Sequence, residues 1–61
     1  MIVVRRQIKE GLARLSIYQD RVKEDLARND YVQAMADVSE CAEISRRLWE
    51  LFQKKTIAGN Q

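Results

Sequence analysis

The sequence predicts an all-α fold: a two-helix antiparallel hairpin, expected to pair with a second copy into a four-helix bundle. Three observations carry this. Apolar residues recur at helical spacing in two long blocks. One short polar break, Arg28-Asn29-Asp30-Tyr31, separates the blocks. The chain has 61 residues, no Pro and two Gly, so it holds one core at most and little that would interrupt a helix.

The first helix is expected from about residue 4 to residue 28. Ile8, Leu12, Leu15, Val22 and Leu26 share a stripe, with Val4, Gly11 and Tyr18 at its edge. Arg6, Glu10, Asp20, Glu24 and Arg28 form the opposite, polar face. The turn falls at 29–30. Asn29 tolerates a left-handed conformation and can close the first helix. Asp30 is a good N-cap, and Gln33 three residues on completes a capping-box pattern. The second helix is expected from about 31 to 56, with 57–61 a frayed tail. Its central stripe reads Ala34, Val38, Cys41, Ser45, Leu48 and Phe52. Tyr31, Ala42 and Trp49 flank it on one side, Ile44 and Leu51 on the other. So short a link forces the helices antiparallel, as a single domain over residues 1–61.

A hairpin covers one flank of that second stripe, not both. Leaving the rest wet would cost several kcal/mol at ~25 cal/mol per Å², against a few kcal/mol of total stability for so small a domain. A second copy is the simplest remedy. The expected dimer interface is Tyr18, Tyr31, Ile44, Leu48, Trp49, Leu51 and Phe52. Gly11 is expected to make room for Trp49 or Phe52, while small Ala34 and Cys41 meet larger Leu26, Val22 and Tyr18. Residues 15–45 hold three basic and seven acidic residues, and the remainder eight basic and two acidic. Such polarity favours pairing head to tail, as a bias on orientation rather than as the main binding energy. In length and layout alone the result resembles the plasmid copy-number protein Rop, and no residue is carried over. Asn29-Asp30-Tyr31-Val32-Gln33-Ala34 resembles the junction of tetratricopeptide-type hairpins, although one such repeat cannot stand alone.

Composition excludes several classes. With one Cys and no His, a disulfide framework, a zinc finger and His-based catalysis have no residues to build them. No cofactor, metal site, catalytic residue or small-molecule substrate is expected: the carboxylates lie on solvated faces, and two helices enclose no pocket. The apolar start, Met1-Ile2-Val3-Val4, is met at once by Arg5-Arg6, so neither a signal peptide nor a membrane span is expected, and a cytoplasmic setting is. Cys41 reads as a buried small hydrophobe.

Two surface features could bind a partner. Ile17 on the polar face of the first helix, with Val32 and Met35 near the start of the second, is a candidate protein-binding patch. Arg5, Arg6, Lys9 and Arg14 are candidate nucleic-acid contacts, set against a bland reading as helix-solvating i,i+4 pairs such as Arg6-Glu10-Arg14 and Glu24-Arg28. The expected function is a small non-enzymatic homodimeric regulator or adaptor that binds another protein. The alternatives are an RNA-binding regulator using the first helix and a small inhibitor of a larger target, possibly from a mobile element.

Overall fold

A computed structural model describes the backbone of residues 2–59 and the side chains of residues 3–56. Two helices, α1 (Ile2–Ala27) and α2 (Tyr31–Gly59), fold back on each other as a slender rod of 49 × 15 × 11 Å. α2 runs past the expected end near 56, since nothing in Thr56-Ile57-Ala58 breaks a helix. Of the expected tail, Asn60 and Gln61 lie outside the described residues.

The turn uses Asn29 and Asp30 as the sequence predicts, without the full capping box. Asn29 takes a left-handed φ of 58°. Its N–H donates to the Leu26 carbonyl (3.0 Å), and the next N–H, of Asp30, donates to the Asp25 carbonyl (2.8 Å). These are the two bonds of a Schellman closure. Asp30 then starts α2, its Oδ1 accepting the Gln33 N–H at 3.1 Å. The reciprocal half of the capping box is replaced: the Gln33 amide donates to Asp37 Oδ1 at 3.3 Å instead.

The seam between the helices follows a strict alternation of three- and four-residue steps. On α1 it takes Val4, Ile8, Gly11, Leu15, Tyr18, Val22 and Asp25; on α2 it takes Ala34, Asp37, Cys41, Ile44, Leu48 and Leu51. These are the buried and half-buried residues, and every other described side chain is exposed. A repeat of ~3.5 residues is the register of two helices packing knobs into holes. The apolar centre is thin: Ile8, Ile44 and Leu48 are buried, with Val4, Leu15, Tyr18 and Leu51 packed against them.

This seam departs from the expected stripes. Leu12 and Leu26, expected at the centre of the α1 stripe, are exposed, as are Val38, Ser45 and Phe52 of the α2 stripe. Ile44 and Leu51, expected at a flank, lie in the seam, as do Asp25 and Asp37. The stripe drawn at ~100° per residue averages over two neighbouring columns, and the hairpin uses only one of them. Gly11 faces Leu48 rather than Trp49 or Phe52: a Cβ there would stand 2.6 Å from Leu48 Cδ2. Among the described residues the ion pair formed is Arg28–Asp25, at 2.6 Å, and not Glu24–Arg28. A carboxylate held in the seam attracts the guanidinium more strongly than an exposed one.

Candidate functional site

Because the helices run in opposite directions, one step forward from each seam position turns both helices toward the same side of the rod. On α1 that step reaches Arg5, Lys9, Leu12, Ser16, Gln19, Lys23 and Leu26. On α2 it reaches Tyr31 and Met35, then Val38, Ala42, Ser45, Trp49 and Phe52. Those α2 residues form a second seven-residue repeat, one position out of phase with the seam and without a neighbour. Leu12, Leu26, Tyr31, Met35, Val38, Trp49 and Phe52 are all exposed, Met35 to 72 % and Trp49 to 63 %. Large side chains carry ~150–250 Å² each. At half to three-quarters exposure, these seven present on the order of 800 Å², one partner's share of a standard interface and above the ~300–600 Å² of the largest patch on a typical monomer.

The charges are sorted by side. One step back from the seam lie Glu10, Glu24, Glu40, Glu43 and Glu50, interleaved with Arg14, Arg21, Arg47 and Lys54. An open groove of about 480 Å³ runs along that flank, where Gln7, Glu10 and Arg14 face Arg47, Glu50 and Lys54 across a floor of Gly11, Ile44, Leu48 and Leu51. Asp20 points away on the back of α1, Asp30 caps α2, and Asp25 and Asp37 are in the seam. None of the nine acidic residues falls on the apolar side, where the charges are Arg5, Lys9 and Lys23.

The residues expected to act are divided by this arrangement. Of the expected dimer interface, Ile44 and Leu48 are buried within the chain, Tyr18 and Leu51 are half-buried there, and Tyr31, Trp49 and Phe52 stand free. Arg21 stacks over the Tyr18 ring at 4.9 Å. Of the expected protein patch, Met35 is on the apolar side, Val32 on the back of α2 at 81 % exposure, and Ile17 on the charged flank of α1, so the three do not form one surface. The candidate nucleic-acid contacts also diverge: Arg5 and Lys9 on the apolar side, Arg6 on the back of α1, and Arg14 on the charged flank. Cys41 is half-buried in the seam. Leu12, Leu26 and Val38 were not expected on an exposed face; the out-of-phase repeat is the signal that marks them.

One polar feature lies inside the seam. Asp25 and Asp37 are 2 % and 4 % exposed and meet near the turn. A hydrogen bond with the Asp37 carboxyl raises the Asp25 pKa above the usual 3.8, helped by burial and by the Asp37 charge and opposed by Arg28. Asp25 Oδ1 accepts from Arg28, whereas Oδ2 has no other partner.

Compared with known proteins, the chain matches no family model, no curated protein and no solved structure. Among the described residues, no helix is long and apolar enough to cross a membrane. Among the described residues, no group of three His, Cys, Asp or Glu is placed to hold a metal ion. The chemistry the arrangement offers is that of a contact surface: a broad apolar strip with an aromatic half, bordered by cations and free of anions.

Proposed function

We propose that the chain is a non-enzymatic helical protein that self-associates through its apolar side into a four-helix bundle and serves as a protein-binding regulator or adaptor. The observation that carries this reading is the out-of-phase repeat on α2, which leaves Trp49 and Phe52 exposed on a face that also holds Leu12 and Val38. Apolar surface of that extent on so small a chain is best accounted for by a second set of helices that covers it. Val32, on the back of α2, stays outside such a pair and remains open to a further protein. Inhibition of a larger target is one form of the same activity. The nucleic-acid reading draws no support from the placement of Arg5, Arg6, Lys9 and Arg14 on three sides.

Light scattering across a concentration series tests the reading. The chain is expected at twice its 7.2 kDa mass, and Trp49→Glu is expected to return it to one copy. Val32→Glu, on the back of α2, leaves the mass of the pair unchanged. A cooperatively folded single copy at every concentration would refute self-association.

A further inference from the structure

Resting on the self-association reading, we infer that the second copy docks antiparallel, about a two-fold axis level with Leu12 of α1 and Arg47 of α2. Side-chain size on α2 sets the height of the axis, and the charges on the back of α1 agree with it.

On α2, antiparallel pairing can set the two different columns of the repeat beside each other. An axis level with residue 47 sets Ser45 beside the second copy's Trp49 and Ala42 beside its Phe52, and the symmetry repeats both layers. Four consecutive layers then hold one aromatic and one small side chain each, which keeps the volume of those layers even, while Leu26 and Tyr31 at the turn lie beyond the end of the second copy. An axis about three and a half residues closer to the turn would set Ala42 against Ser45 in the middle and crowd Met35 against Phe52.

The close approach of Gly11 to Leu48 ties the heights of the two helices together, so Leu12 is level with Arg47. Leu12 of one chain therefore meets Leu12 of the other on the axis, between the layers that hold Ser45. On the back of α1, the same axis brings Arg6 within about two residues' rise of the second copy's Asp20, twice by symmetry. Both side chains are exposed and neither has an ion-pair partner within its own chain among the described residues. A parallel pairing would set Arg6 near Gln53 and Asp20 near Ser39 instead. On the α2 rim, Arg46 approaches its own copy, an exposed like-charged pair that salt screens.

Single cysteines at Leu12, Ser16 and Gln19, each on a Cys41→Ala background and each checked for helicity and mass, test the axis by oxidative cross-linking. Identical residues are offset along the rod by about 0, 12 and 21 Å at these positions, from 1.5 Å of rise per residue. Cross-linking is expected fastest at 12, slower at 16 and slowest at 19. A charge swap reads the same axis without touching the core: Arg6→Asp and Asp20→Arg each loosen the pair several-fold, and the double variant restores it. A dimer of unchanged mass that cross-links fastest at 16 or 19, or for which the double swap restores nothing, overturns the axis and leaves self-association standing. A chain that stays single at all concentrations overturns both.

Discussion

Gly11 tests the packing of the seam most directly. A Cβ added there would lie 2.6 Å from Leu48 Cδ2 and 3.2 Å from Leu48 Cγ, where carbon atoms normally settle at ~3.5–4.0 Å. Leu48 is 6 % exposed and packed with Ile8 and Ile44, so it can recoil only by disturbing the one fully apolar centre. Gly11→Ala therefore sets two terms against each other. Removing a helical glycine favours folding by ~1 kcal/mol, and overfilling a packed seam costs ~1–3 kcal/mol. The net expectation is a loss of about 0–2 kcal/mol. Leu48→Val removes both δ carbons for about 1 kcal/mol; on that background most of the clash is gone, and Gly11→Ala becomes stabilising by about 1 kcal/mol. The two substitutions thus couple by about 1–3 kcal/mol. The assay is denaturant unfolding followed by far-ultraviolet circular dichroism, at one fixed protein concentration because the proposed self-association would shift the midpoint. A Gly11→Ala gain of the same size on both backgrounds would show that Leu48 does not fill the space beside Gly11.

The Asp25–Asp37 pair predicts an inverted response to pH. The raised Asp25 pKa means that the folded chain holds this proton more tightly than the unfolded chain. Its stabilising contribution is complete below the unfolded value near 3.8 and is lost as pH rises through the higher folded value. The melting midpoint is expected to rise on acidifying from neutral pH toward that window, and Asp37→Asn to raise the neutral midpoint and flatten the slope. A midpoint that falls steadily with acid, unchanged by Asp37→Asn, would count against the raised Asp25 pKa and its cause. At the turn, Asp30→Ala is expected to cost about 1 kcal/mol by removing the cap on the Gln33 N–H. Asn29→Ala is expected to cost about 1–2 kcal/mol at its left-handed φ, while Asn29→Gly costs nothing or stabilises; equal midpoints for the two would argue against the Schellman closure.

The two helices, their turn and its chemistry were legible in the sequence because each rests on local rules: Asn29 in the left-handed region, Asp30 accepting from Gln33, no breaker elsewhere. The rotation of each helix about its own axis was not. Apolarity at helical spacing marks two adjacent columns on α2, Ile44-Leu48-Leu51 and Val38-Trp49-Phe52, and nothing local says which one meets α1. The second column carries the larger aromatic residues, so a reading that weighs hydrophobicity places it at the centre. The first carries Asp37 and faces Asp25, which makes it look like a surface.

That inversion is itself the argument for function. A chain optimised only to fold as a lone hairpin would turn Trp49, Phe52 and Val38 into the seam and leave Asp25 and Asp37 in water, since burying carboxyls costs free energy that apolar burial supplies. Here two acids share the seam, one through a raised pKa, while Tyr31, Trp49 and Phe52 stand outside on a face from which every acid is absent. Local rules are broken most often where a protein does its work, and this chain breaks them along one continuous strip. The strip is the surface that the proposed second copy would cover to complete the fold.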